Sequence, residues 1–210
     1  GGAPGRLDAT PRPVSGLASL TRVGAGGDYS CGVSLGGRVL CAGSLHGTTP
    51  LPCSPDEVGG VPPVADVSIG AGHSCVRTTE GGVFCRGANT SGQLGDGTRT
   101  DRETWGPVLL PSPATAIAAG AGHSCAIVAG GAVRCWGRNT SGQLGHDGPL
   151  DEPLPAAVPL EDGATALALG EQFSCALLAS GAVACWGQND SGQLGDGTVV
   201  ARAMPARVLF

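Results

Sequence analysis

The residues best equipped for chemistry in this chain are its cysteines. There are nine. Eight fall into four pairs with a single spacing: Cys31 and Cys41, Cys75 and Cys85, Cys125 and Cys135, Cys175 and Cys185. Thiolates in that number could ligate zinc, but zinc sites use ligand spacings of about two to four residues, and these partners stand ten apart. Disulfides and buried free thiols are the other two fates. Cys53 has no counterpart and reads as unpaired: buried, reactive, or linked to another part of the protein or another chain. His73 and His123 suggest a metal-ligand pair. Ser30, Ser74, Ser124 and Ser174, each directly before the first Cys of a pair, suggest nucleophiles.

Internal comparison removes most of that chemistry. The first Cys recurs after 44, 50 and 50 residues, which marks four tandem copies of one unit. The position held by His73 and His123 is Tyr29 in the first copy and Phe173 in the fourth. A site that accepts Tyr, His, His and Phe selects a flat ring for packing. A nucleophilic Ser needs a base and an orienting acid gathered at one site. Four equivalent Ser residues point instead to a structural hydroxyl bonded to neighbouring backbone.

Asn89, Asn139 and Asn189 each open an Asn-x-Ser glycosylation match, and Asp96, Asp147 and Asp196 stand beside Gly. All six fall on the repeat's own turn, and the ligand spacing of a calcium loop is missing. His46 and His146 lie in turn-rich segments and read as solvated. No catalytic, cofactor-binding or metal site is assigned, and the chain reads as a non-enzyme.

The elements that carry these residues are short strands. The first strand of each copy alternates (Val23/Ala25, Val67/Ile69, Ile117/Ala119, Leu167/Leu169) and stops at Gly26, Gly70, Gly120 or Gly170. The next two strands form a hairpin flanked by the Cys pair. A ten-residue separation leaves an odd number of loop residues, and three fit: 35–37, 79–81, 129–131 and 179–181, each ending in Gly. Such a loop takes a type I turn followed by a left-handed residue, where Gly is favoured. The Cys then sit three pairs out from the closing pair, at a non-hydrogen-bonded site where Cα atoms approach about 4.5 Å, within disulfide range. The facing-strand geometry accounts for all four pairs at once and favours disulfides. A Pro-containing segment connects each copy to the next. Trp136 and Trp186 follow the second Cys and face the opposite side of the strand, for packing between units. Trp105 sits apart in a connecting segment.

Composition agrees with a packed repeat. Gly and Pro number 38 and 16 of 210 residues, yet 41% are apolar and 14% charged, so a core can form. Aromatics are 3%, which leaves that core to Ala, Val, Leu, Ile and Cys. The formal net charge of −5 argues against a nucleic-acid partner. All twelve basic residues are Arg, a usage typical of high-GC bacterial genomes. No apolar run is long enough to span a membrane. The start, Gly1-Gly2-Ala3-Pro4-Gly5, carries no signal-type segment and reads as a trimmed beginning.

The run His123-Ser124-Cys125 to Cys135-Trp136-Gly137, then Asn139-Thr140-Ser141-Gly142-Gln143-Leu144-Gly145, resembles the regulator of chromosome condensation repeat family. The same Gly-Gln-Leu-Gly segment recurs at 92–95 and 192–195. The resemblance implies an all-β fold of β-propeller blades, usually seven of four strands, and the Cys-paired form resembles the family's exported bacterial branch. Repeat one departs from the pattern, because the Gly-Gln-Leu-Gly segment is replaced by a Pro-rich stretch with Cys53. Four copies suit a partial or small propeller, or a ring completed by self-association. The units are a leading inter-blade segment 1–22, a divergent repeat 23–63, and repeats 64–113, 114–163 and 164–210, together one domain.

Disulfides imply an oxidising compartment, hence an extracellular, periplasmic or cell-surface location. The function expected is protein binding by variable loops on a rigid scaffold. Those segments are 44–63, 99–113 and 149–163, with Arg102, Glu103 and Trp105 as contacts to an unknown protein partner. No cofactor is expected. Two other readings stand behind this one: a surface-display repeat of a larger envelope protein, and, more remotely, guanine-nucleotide exchange.

Overall fold

The computed structural model describes residues 19–43, 56–57 and 59–209. Among the described residues sixteen strands form four antiparallel sheets of four, each in simple sequence order. Blade 1 holds β1 (Leu20–Gly26), β2 (Tyr29–Ser34), β3 (Val39–Gly43) and β4 (Asp56–Glu57). Blade 2 holds β5 (Val64–Ile69), β6 (His73–Thr78), β7 (Val83–Gly87) and β8 (Arg102–Pro107). Blade 3 holds β9 (Ala114–Ala119), β10 (His123–Val128), β11 (Val133–Arg138) and β12 (Asp151–Val158). Blade 4 holds β13 (Ala164–Leu169), β14 (Phe173–Leu178), β15 (Val183–Gly187) and β16 (Arg202–Arg207). The one helical element among the described residues is a single 3₁₀ turn at Ala129–Gly131.

The second and third strands pair as their turn chemistry requires. Each Cys stands directly opposite its partner, with Cα atoms 4.1 Å apart and a disulfide between them, in all four blades. The hairpin closes through bonds such as Ser34 N to Arg38 O at 3.0 Å and Thr78 N to Gly82 O at 2.8 Å. The third loop residue is left-handed throughout (φ 73° at Gly37, 86° at Gly81, 79° at Gly131, 86° at Gly181). Blade 3 differs in that Gly130 is left-handed as well, at φ 80°.

The Pro-containing segments correct the sequence reading. They are the fourth strands β8, β12 and β16 rather than connectors. Pro107, Pro153, Pro155 and Pro205 are accommodated because this is the sheet's outer edge, where a strand has a neighbour on one side. Trp105 therefore belongs to strand β8.

The blades pack side by side through their first strands, β1 on β5, β5 on β9 and β9 on β13. No comparable contact joins β13 to β1 among the described residues, so the four blades form an open arc. For Gly26, Gly70 and Gly120 this packing explains the Gly that ends the first strand. A Cβ on Gly70 would lie 2.4 Å from Gly120 O, and one on Gly120 would lie 2.6 Å from Gly170 O. Backbone meets backbone at the inner end of the arc, and no side chain fits between.

Candidate functional site

Blades 2 and 3 bury both sheet faces, and the boundary between blades is where their polar residues gather. In blade 3 the face bearing the disulfide (His123, Cys125, Ile127, Val133, Cys135) is covered by blade 4, and Ile127 is 2% exposed. The opposite face, with Ser124, Ala126 and Trp136, packs on blade 2.

Across these boundaries one hydrogen-bond motif occurs twice. Ser124 Oγ donates to the backbone carbonyl of Gln93 in blade 2, at 3.1 Å, and Trp136 Nε1 donates to the same carbonyl at 2.9 Å. Since the Ser proton is used there, His73 Nε2–H donates to Ser124 Oγ at 2.8 Å. One boundary on, Ser174 Oγ and Trp186 Nε1 both donate to Gln143 O at 2.9 Å, and His123 Nε2–H donates to Ser174 Oγ at 2.9 Å. The two His occupy successive boundaries and do not form one site. Each has Nδ1 buried without a partner, so a second proton would find no acceptor. Burial pulls His73 down to about 4, and burial reinforced by the neighbouring His73 pulls His123 down to about 3. Both are neutral at neutral pH. In blade 1 Tyr29 faces Ser74, and burial pushes its hydroxyl up to about 12.

The acceptor carbonyl is presented by the Asn-x-x-Gly-Gln-Leu-Gly turn, which fastens itself. Asn89, Asn139 and Asn189 accept through Oδ1 from the backbone N–H of Leu94, Leu144 and Leu194 at 2.9, 3.0 and 2.9 Å. Gln93, Gln143 and Gln193 accept through Oε1 from the N–H of the Ser two residues before. All three Asn side chains are buried and used, as the turn reading requires. Asp96 accepts from both Thr98 N and Thr98 Oγ1 and pairs with Arg102 at 3.1 Å; Asp196 repeats this with Thr198 and Arg202. Burial alone would raise the Asp96 carboxyl, but the Thr98 bonds and Arg102 outweigh it and lower it. Among the described residues no three His, Cys, Asp or Glu gather as a metal site, and no helix is long and apolar enough to cross a membrane.

The three expected partner contacts separate. Arg102 is half-buried, held by Asp96 and by the carbonyl of Cys85 at 3.3 Å. Trp105 is buried in the core under Arg86, whose guanidinium lies 4.7 Å from its ring centroid, so it offers no free contact. Glu103 is exposed. Cys53, His46 and most of the 44–63 segment lie outside the described residues, and His146 is half-buried.

One feature not legible in the sequence is a set of exposed apolar side chains on the outer strands and in the segments that lead into them. Leu150 and Leu154 in blade 3 repeat, fifty residues on, as Val200 and Met204 in blade 4, with Val199 beside them. Leu150 is 70% exposed and Val200 64%. The equivalent residues of blade 2 are Thr100 and Thr104. The nearest signal in the sequence is apolar residues at positions where the repeat does not need them.

Residues 64–93, 114–143 and 164–193 match a family model described as Regulator of chromosome condensation (RCC1) repeat, and residues 80–127 and 130–177 match a second model of the same description. No curated protein sequence matches the chain. Among solved structures, human WBSCR16 superposes with a TM-score of 0.82 at 22% identity, over 91% of this chain and 53% of that one. Yeast RCC1 (Prp20), solved with Kap60 bound, gives 0.81 at 20% identity, over 91% and 49%. Prp20p from Saccharomyces cerevisiae, described with its binding properties to Gsp1p and histones, gives 0.80 at 20% identity, over 91% and 50%. The chain spans about half the length of the solved relatives it matches.

Proposed function

The chain belongs to the regulator of chromosome condensation repeat family, and from that premise we propose that it is a non-enzymatic, exported protein-binding module. The observation that carries the reading is the set of exposed apolar side chains on and just before the outer strands of blades 3 and 4: Leu154 and Met204 on the strands, Leu150, Val199 and Val200 in the segments leading into them. Large apolar side chains left in water on a rigid scaffold, at positions where the framework tolerates Thr, suit contact with another protein. Exposed Glu103 lies on the outer strand of blade 2, and the 149–163 segment contains that of blade 3. Prp20 relatives described with Kap60, Gsp1p and histones support protein partners for such a scaffold. Four disulfides support an oxidising, extracellular-type compartment.

The test is affinity capture from the native envelope and culture medium, comparing the wild-type chain with Leu150→Glu/Val200→Glu. Partners held by the wild type should be lost by the variant, and a purified partner should bind at least tenfold more weakly. Equal binding by a folded variant would refute the assignment to these side chains.

A further inference from the structure

The boundary between blades 1 and 2 departs from the other two in its polar residues. The ring position holds Tyr29 in place of His73 and His123, and the indole position holds Arg86 in place of Trp136 and Trp186. Ser74 keeps the hydroxyl of Ser124 and Ser174. At the other boundaries the Ser and Trp donors are collected by one acceptor, the carbonyl of Gln93 or Gln143. The sequence of blade 1 contains no Gly-Gln-Leu-Gly segment that would supply its counterpart.

The donors remain and stand without an acceptor. Arg86 Nε and Nη2, Trp105 Nε1, Tyr29 Oη and Ser74 Oγ are all enclosed, and none makes a hydrogen bond. Tyr29 lies close to both Ser74 and Arg86, but its hydroxyl reaches bonding geometry with neither. Arg86 is 7% exposed, and its guanidinium rests on the Trp105 ring at 4.7 Å. No carboxylate among the described residues pairs with it: burial pulls the guanidinium below its usual value, and only Tyr29 acts in the other direction. Arg102 shows the ordinary arrangement in the same blade, paired with Asp96 and bonded to Cys85 O.

A buried charge left unpaired is costly. Stacking on an indole holds the cation but gives its N–H groups no acceptor. What the boundary lacks is an oxygen that carries negative charge. Nε and Nη2 form one edge of the guanidinium, the pair of parallel donors that grips both oxygens of a carboxylate. The Trp105 ring lies against the face of the fork and leaves this edge to an in-plane partner.

We infer that Arg86, with Tyr29, Ser74 and Trp105 Nε1 around it, is a binding site for a small carboxylate anion, one of whose oxygens takes the part that the Gln93 carbonyl plays at the next boundary. The site lies apart from the outer-strand surface and does not depend on the protein-binding reading.

The test uses the oxidised full chain in carboxylate-free buffer at constant ionic strength. Sodium formate and sodium acetate are titrated while the Arg86 Nε–H and the three indole Nε1–H resonances are followed by NMR. The Arg86 and Trp105 signals should shift saturably. Those of Trp136 and Trp186, already bonded to carbonyls, should stay. Arg86→Trp, which repeats the residue of the other two boundaries, and Arg86→Gln should each fold with four disulfides and bind at least tenfold more weakly at Trp105. Formate and acetate without effect on Arg86 and Trp105 would mean that the chain itself satisfies the guanidinium, and would overturn the inference. An undiminished response in a folded Arg86 variant, or chloride matching formate, would overturn it too. A blocked Ala-Glu-Ala peptide carries the same group on a protein side chain; binding tighter than that of acetate would give the site to a partner's acid and overturn the assignment to a small anion.

Discussion

His73 of blade 2 donates from Nε2 to Ser124 Oγ of blade 3 across 2.8 Å, and the Ser124 hydroxyl donates in turn to the Gln93 carbonyl. The pair couples two blades through groups that have no water to fall back on, and its pattern recurs in His123 and Ser174.

The first consequence is a pH dependence. The folded-state values of His73 and His123, about 4 and about 3, lie below the unfolded value near 6.5. Between those limits the unfolded chain binds more protons, so stability is full above about pH 6.5 and falls as pH drops, by up to about 1.4 kcal/mol per pH unit per His. Urea midpoints measured from pH 7.5 to 4.5 should show this slope. His73→Phe/His123→Phe, which copies the ring of Phe173, should flatten it; an unchanged slope would show that the two imidazoles do not cause it.

Ser124→Ala leaves the His73 Nε2–H without an acceptor, while the Gln93 carbonyl keeps its bond from Trp136 Nε1. A buried unsatisfied donor costs about 1–3 kcal/mol. Chemical denaturation should report that loss, with a smaller one for Ser30→Ala, whose residue is exposed on the uncovered face of blade 1.

Trp136 is fully buried and bonded to Gln93 O. Trp136→Phe should cost about 1 kcal/mol for the lost bond and reduced area, and Trp136→Ala about 3–5 kcal/mol. Amide exchange should localise the loss to the boundary between blades 2 and 3.

Gly120→Ala should be among the most damaging small substitutions. Its Cβ would meet His123 Cε1 at 2.3 Å and Gly170 O at 2.6 Å, whereas at Gly36 the nearest atom is 3.9 Å away. Overpacking of this kind costs about 1–3 kcal/mol. Thermal melts should therefore separate Gly120→Ala from a near-neutral Gly36→Ala.

Eight of the nine Cys are bonded. Alkylation of the denatured, unreduced protein should add one label, on Cys53. Each hairpin disulfide closes a short loop, worth about 2–3 kcal/mol. Reductant should lower the urea midpoint sharply, and nine labels on native-source protein would contradict the export reading.

The sequence by itself determined the unit and its local chemistry. A repeat spacing, a Cys separation of ten and a Gly closing each three-residue loop are enough to fix hairpin register, because side-chain parity in a strand and φ at a turn are local constraints. The flat-ring reading of Tyr29, His73, His123 and Phe173 came from the same self-comparison. Tertiary structure alone decided what those residues do. His73 and Ser124 are 51 residues apart, and nothing in either repeat shows that one blade's ring bonds the next blade's hydroxyl. The Pro-containing segments read as connectors because Pro weakens a strand signal, and they became strands once an outer edge existed to tolerate them. Burial followed the same rule: Trp105 read as a free contact and Leu150 was passed over, since exposure depends on what packs alongside and not on residue type.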